Sequence, residues 1–226
     1  MKLKYIFSFL LFNILTICNI IAQQYGDVNN YGGVNTLSTF NDYDYSNVKG
    51  TPFINDKYLP LKISDFKDDL LSGRYNAHRD YFEIKINNNI KSLLPNEKAL
   101  NREVFLNKKV YKAFKHSDGE IGFFLIAFNG DKTTLMVKER IVLNEAIEPK
   151  TGYDKFKPAN FERKKDIFFI SFTKNNSAIE LPKNKNKFIV LFENNSAEIK
   201  NYIKKNKLKI NNMEDIKRIL KHYESL

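Results

Sequence analysis

The pattern of hydrophobic and polar positions differs between the middle and the end of this chain. In the middle, short runs of β-branched and aromatic residues alternate with turn residues, which is typical of β-strands. Toward the C-terminus apolar residues recur at helical spacing, as in Ile216, Ile219 and Leu220. We therefore expect an α+β protein, with an antiparallel β-rich body of hairpins and meanders over residues 49–182 and a small helical unit over 183–226.

Several hairpins are predicted within the β-rich body. The runs YFEIKI and IKSLL flank an Asn-rich turn, and Asp118-Gly119 and Asn129-Gly130 are dipeptides preferred in tight hairpins. The run IGFFLIAF between these two dipeptides is almost continuously apolar, which predicts a central strand buried on both faces. A Pro-containing connector over residues 148–160 precedes another hairpin, DIFFISFT and AIELP. That hairpin either joins the first sheet or starts a second module.

The segment RYNAHRDYFEIK places polar residues at every second position, namely Arg74, Asn76, His78 and Asp80. If the strand runs unbroken through Asp80, these side chains share one face. The row is then either the outward face of a sheet or a set of binding or catalytic groups. Ser72-Gly73 predicts a turn immediately before it.

The remaining boundaries follow from turn and capping residues. A first strand is predicted over Phe53–Ile63. Asn184, Ser196 and Asn212 are residue types preferred at helix N-termini, and they predict the starts of three C-terminal helices.

The N-terminus has the order of a secretory signal peptide. Lys2 and Lys4 precede an apolar run, and Ala22 precedes polar residues, so we expect cleavage after Ala22 and no transmembrane span in the mature chain. Residues 23–48 are predicted to form an extended arm. The sole cysteine, Cys18, lies in the leader, so the mature chain has no disulfide, which favours a bacterial cell envelope. We expect an exported protein of the periplasm or outer membrane.

Composition adds a strong positive charge. The chain carries 37 Lys and Arg against 26 Asp and Glu, a net charge of +11, and most of the excess lies in the last third. Lys200, Lys204 and Lys205, with Lys207 and Lys209 nearby, predict a basic surface. It is either an anion-binding surface or a solvated face of a lysine-rich chain. For an exported protein the partner is an envelope protein or an anionic surface, and no nucleic acid is expected.

No motif for a common enzymatic reaction is present. The three histidines, His78, His116 and His222, lack the close spacing of metal ligands, so no metal site is predicted. The chain contains no nucleophile elbow, phosphate-binding glycine loop or dinucleotide fingerprint. We therefore predict no cofactor and no catalytic residue, and the sequence disfavours an enzyme.

Four segments resemble a family of exported proteins from Bacteroidetes-type bacteria, a family without an assigned activity. They are KGTPFINDKYL (49–59), RYNAHRDYFEIK (74–85), KPANFERKKDIFFI (157–170) and residues 197–226, the most specific segment. In similar proteins the second segment reads R-Y-N-x-aromatic-x-D-x-x-E. His78 departs from this pattern. The resemblance implies that Arg74, Asn76 and Asp80 fix the strand and its turn through side-chain hydrogen bonds.

Three functions are compatible with these features. The first is an exported cell-envelope protein that acts as a non-enzymatic structural or interaction module. The second is a periplasmic ligand-binding protein that uses aromatic residues together with Arg74 or Arg79 on a sheet face. The third is a hydrolase built around His78 and Asp80. The oligomeric state stays open.

Overall fold

The structure is a computed structural model that describes residues 37–38, 45–64, 66, 71–86, 89–100, 102–151, 154–173 and 177–226. The predicted signal peptide and most of the predicted arm lie outside these residues.

The described residues form a β-rich body followed by three helices. The strands are β1 (Leu37–Ser38), β2 (Leu59–Ile63), β3 (Leu71–Asn76), β4 (Tyr81–Ile86), β5 (Asn89–Leu93), β6 (Glu103–Leu106), β7 (Lys109–His116), β8 (Ile121–Asn129), β9 (Thr133–Asn144), β10 (Asn160–Phe172) and β11 (Ser177–Glu180). The helices are α1 (Lys185–Val190), α2 (Ser196–Lys205) and α3 (Met213–Glu224). The predicted α+β class is confirmed.

All these strands belong to one sheet, in the order β1-β5-β4-β3-β2-β6-β7-β11-β10-β9-β8. Neighbours are antiparallel, except that β11 pairs with β7 in parallel. Because β8 also pairs with β7, the last five strands close into a ring. The hairpin of β10 and β11 therefore joins the first sheet.

The closed ring is filled by one buried side chain from each of its strands. These side chains are Phe114, Phe124, Met136, Phe169 and Ala178. Successive residues of a strand point to opposite faces, so Phe123 packs instead into the larger core with Phe82 and Tyr111. Phe123 and Phe124 are both fully buried, so the first part of β8 is covered on both faces as predicted, whereas residues 125–128 are half-buried.

The predicted turns are partly confirmed. Asp118-Gly119 joins β7 to β8, with Gly119 at φ +94°, and Asn129-Gly130 joins β8 to β9. The predicted turn at Ser72-Gly73 is wrong, because both residues lie inside β3. A Cβ atom on Gly73 would lie 2.5 Å from Leu61 Cδ1, so this glycine permits close packing. The first predicted strand, Phe53–Ile63, is limited to β2.

The helical unit packs on the sheet around a shared core. Leu135 of β9 and Ile170 of β10 are buried against residues of all three helices, including Phe188, Ile199 and Ile219. No helix in the described residues has the length and apolar character needed to cross a membrane.

Two of the three predicted helix caps are confirmed. Asn184 Oδ1 accepts from the backbone N–H groups of residues 186 and 187, and Asn212 Oδ1 accepts from Asp215 N at 3.0 Å. Ser196 is not a cap, because a 3₁₀ turn at Glu193–Asn195 leads directly into α2. Its hydroxyl donates instead to the Ile189 and Glu193 carbonyl oxygens.

Candidate functional site

The polar row of residues 74–80 does not lie on one strand face. β3 ends at Asn76, and residues 77–80 form the turn into β4. Asn76 Oδ1 accepts from His78 N at 3.1 Å and from Arg79 N at 2.9 Å, while Asp80 adopts φ +57°. Asn and Asp are suited to such turns because their short side chains bond the nearby backbone and tolerate the left-handed region. The condition for a shared face, a strand that runs unbroken through Asp80, is therefore not met.

Arg74 is held inside the fold. Its guanidinium donates to Glu83 Oε1 at 2.8 Å and to the Asp56 carbonyl at 3.1 Å. The same group lies 3.6 Å from the ring centroid of Phe53 and 4.7 Å from that of Tyr58. These contacts tie residues 53–58 to the hairpin of β3 and β4.

Arg79 and His78 lie at the surface of the same turn. Arg79 Nε donates to the Tyr45 hydroxyl at 2.9 Å. The His78 ring packs edge to face on Phe161, with the centroids 5.3 Å apart. Asp80 has other partners, so His78 and Asp80 do not form the paired acid and base that a hydrolase at this motif would need.

Asp80 is the centre of a partly buried polar cluster. Its carboxylate accepts from the Tyr75 hydroxyl at 2.6 Å, from Lys138 Nζ at 2.5 Å and from Phe123 N at 3.2 Å. Burial lowers the pKa of Lys138, and the Asp80 carboxylate opposes that shift. Because its donors come from Tyr75, Phe123 and Lys138, this carboxylate joins β3, β8 and β9.

His116 faces the same cluster from β7. A Cβ atom on Gly122 would lie 2.9 Å from His116 Nε2, 2.9 Å from Lys138 Nζ and 3.0 Å from Asp80 Oδ2, so all three groups converge over this glycine. Burial lowers the pKa of His116, and the charge of Lys138 lowers it further. The sequence placed His116 beside Ser117 and Asp118 and contained no signal for this longer-range arrangement.

We expect the free energy of unfolding to fall as the pH drops through the histidine range. Burial lowers the pKa of both His78 and His116 from the ordinary 6.5. The unfolded chain therefore binds more protons than the folded chain between the folded-state pKa values and 6.5, and stability is lost as the pH falls through that window. Urea unfolding at about pH 7.5 and about pH 5.5 measures this loss. An equal loss in the double variant His78→Gln/His116→Gln would contradict the assignment.

A second feature is a cleft between the sheet and the helical unit. Lys165 and Asp166 of β10 together oppose the single residue Glu139 of β9, which is a β-bulge. Bulges bend a strand and redirect its side chains. The cleft beside this bulge has a volume of about 940 Å³ and is closed on the other side by α1 and the segment between α2 and α3.

The cleft collects five cations from four segments of the chain. They are Arg140, Lys165, Lys183, Lys185 and Lys209. None of them forms an ion pair with a carboxylate among the described residues. Of the two acidic lining residues, Asp166 is paired with Arg163 at 2.5 Å, which leaves Glu180. The cleft therefore has a net positive charge and can hold an anion.

The lysines singled out in the sequence lie elsewhere on the helical unit. Lys200, Lys204 and Lys205 are exposed on α2, whereas Ile199 and Ile203 on the same helix are buried. The lining of the cleft includes none of these three lysines, but it does include Lys209. The alternating lysines of PKNKNK, the segment that begins at Pro182, are a local sequence signal for two other cations of the cleft, Lys183 and Lys185.

A smaller cleft of about 360 Å³ lies on the face of β6 to β9. Phe105, Phe114 and Phe128 contribute to its lining. Neither Arg74 nor Arg79 takes part, so the aromatic residues and the arginines of the second sequence hypothesis are not combined in this cleft.

The described residues contain no group of three or more His, Cys, Asp or Glu side chains placed to hold a metal ion. Comparison of the chain with protein-family models, with curated proteins and with solved structures found no match.

Proposed function

We propose that this protein is a non-enzymatic binding module of the bacterial cell envelope and that it holds an anionic partner in the cleft between its sheet and its helical unit. The observation that carries the proposal is the convergence of five cations, from Arg140 to Lys209, with no carboxylate partner among the described residues. A concave site of one charge sign concentrates its field and attracts ligands of the opposite sign.

Export and envelope location are part of this proposal. Their support is the leader-like N-terminal sequence, with Lys2 and Lys4 before an apolar run and Ala22 before polar residues. An exported protein with a basic cleft meets anionic lipids, polysaccharides and acidic proteins. The resemblance to Bacteroidetes-type exported proteins agrees with this compartment and stays a prediction.

Removing charge from the cleft should weaken binding to an anionic surface. In the variant Lys183→Gln/Lys185→Gln/Lys209→Gln we expect affinity for dextran sulfate at low salt to fall about tenfold or more, since each exposed contact contributes about 0.5–1 kcal/mol. The measurement is the salt concentration at which the protein elutes from a dextran sulfate column, with calorimetry for the dissociation constant.

The matched control is Lys200→Gln/Lys204→Gln/Lys205→Gln, which removes the same charge from the exposed face of α2. It should elute close to the unmodified protein. Equal losses in both variants would mean that net charge alone governs retention. A loss confined to the control would move the site to α2.

The aromatic cleft on β6 to β9 supports a second candidate, the binding of a small apolar ligand. The half-buried Phe105 and Phe128 would contact such a ligand, and Lys112 lies at the same cleft. A Phe128→Ser variant that loses affinity for an aromatic probe while retaining dextran sulfate binding would separate this candidate from the first.

A further inference from the structure

The basic cleft is not lined by charge alone. Its wall includes four apolar side chains: Ile167, Phe168, Leu208 and Ile210. Leu208 is buried, and the other three are half-buried. These residues come from β10 and from the segment between α2 and α3, so the apolar surface reaches across the cleft from the sheet side to the helix side.

The cations and the apolar residues occupy different levels of burial. Lys165, Lys183, Lys185 and Lys209 are exposed, whereas Arg140 is half-buried, as are three of the four apolar side chains. Long lysine side chains can reach a ligand at the opening while staying in water. Arg140 has a planar guanidinium that can bind a phosphate, sulfate or carboxylate through two parallel hydrogen bonds.

The size and composition of the cleft decide between ligand classes. Its volume of about 940 Å³ lies near the upper end of small-molecule sites, which are about 300–1,000 Å³ and combine apolar walls with a few polar groups. A purely ionic polymer would leave the apolar wall in water. A purely apolar ligand would bury cations next to a surface that cannot pair with them.

We propose that the cleft binds an amphipathic anion, a molecule with one acidic head group and an apolar chain or ring. The head group contacts Arg140 and the lysines at the opening, and the apolar part lies on Phe168, Leu208 and Ile210. This inference rests on the proposed function and deepens it, because it names the ligand class. Lipid-derived head groups and free alkylated acids share this chemistry.

The probes are alkyl phosphates of increasing chain length, used below their critical micelle concentrations, with inorganic phosphate as the head group alone. Affinity measured by calorimetry should rise about two- to fourfold for each added methylene until the apolar wall is covered. An alkyl glucoside of the same chain length is the neutral control, and it should bind at least about tenfold more weakly.

Two variants separate the contributions of head group and chain. Lys183→Gln/Lys185→Gln/Lys209→Gln changes only exposed side chains, and it should lower affinity for every chain length by about the same factor, tenfold or more. Ile210→Asn should leave inorganic phosphate binding unchanged and reduce the gain per methylene. Circular dichroism checks that both variants fold. If Ile210→Asn does not fold, the exposed-lysine variant and the chain-length series on the unmodified protein still test the proposal.

The outcomes also distinguish this inference from the proposed function. Dextran sulfate binding that depends on the cleft lysines, together with no gain per methylene, would overturn the amphipathic ligand and leave the anion-binding module standing. Equal affinity for the alkyl phosphate and the alkyl glucoside would show adsorption of any chain and would likewise overturn it. Failure of both dextran sulfate and alkyl phosphates to bind would overturn both proposals. The affinity for vesicles that contain an anionic lipid is then compared with the affinity for monomeric alkyl phosphates. Tighter binding to the vesicles would indicate a membrane lipid as the ligand, and tighter binding to the monomers would indicate a free ligand.

Discussion

Replacing Asp80 with alanine should lower the free energy of unfolding by about 2–3 kcal/mol. The change removes the acceptor for the Tyr75 hydroxyl, for Lys138 Nζ and for Phe123 N. It also leaves the Lys138 ammonium without its counter-charge in a site where its side chain is only 18% exposed. Because the Asp80 side chain is 24% exposed, water offsets part of the loss, so we place the effect below that of a fully buried pair. Urea unfolding measures it.

Two companion variants separate backbone from side-chain effects. Asp80 adopts φ +57°, which glycine adopts without strain and alanine does not. Asp80→Gly should therefore recover about 1 kcal/mol relative to Asp80→Ala. His78→Ala, in the same turn, should cost less than about 1 kcal/mol because its ring is only half-buried and has no side-chain ion pair among the described residues. If His78→Ala lowers the free energy of unfolding as much as Asp80→Ala does, the hydrogen bonds of Asp80 are not what stabilises the turn.

Replacing Phe124 with alanine should cost about 3–5 kcal/mol, the largest single effect expected in this protein. Phe124 is fully buried inside the closed ring of strands. The centroid of its phenyl group lies 5.0 Å from the side-chain centroids of Phe169 and His116. Because the strands around Phe124 are hydrogen-bonded into a closed ring, they cannot easily collapse into the cavity that the substitution leaves. The lost contacts are therefore not replaced. Thermal and urea unfolding both measure the loss.

Phe128→Ala is the matched control on the same strand. Phe128 is half-buried at the aromatic cleft, so its removal should cost about 1–2 kcal/mol. If Phe124→Ala fails to fold, Phe124→Leu gives a measurable loss of about 1–2 kcal/mol. Equal costs for Phe124→Ala and Phe128→Ala would mean that the closed ring adds no rigidity.

Local signals in the sequence predicted those parts of the structure that depend on neighbours along the chain. Asp118-Gly119 and Asn129-Gly130 specify turns through their own backbone preferences, and both join consecutive strands. Asn184 and Asn212 cap helices through bonds that span two or three residues. Each of these interactions is contained in a short segment, so a pattern of residue types is enough to indicate it.

The same reasoning failed where a residue is determined by a distant partner. Gly73 has the local signature of a turn, but the close approach of Leu61 across the sheet explains it. The sequence also left open whether the strand that begins near Arg74 continues through Asp80. It ends four residues earlier, because the Asn76 side chain bonds the backbone of the turn and Lys138 holds Asp80 from another strand.

The sequence by itself determined the succession of a β-rich body and three helices, the turns at Asp118-Gly119 and Asn129-Gly130, two of the helix caps and the excess of positive charge. Only the tertiary structure decided that the last five strands close into a ring, that His116 and Lys138 meet Asp80 over Gly122, and that Arg140 shares a cleft with Lys209. The physical reason is that alternation, turn preference and capping act over a few residues, whereas ring closure and the cleft depend on contacts between segments far apart in the chain. Those contacts are selected by the packing of the whole core, which no short segment contains.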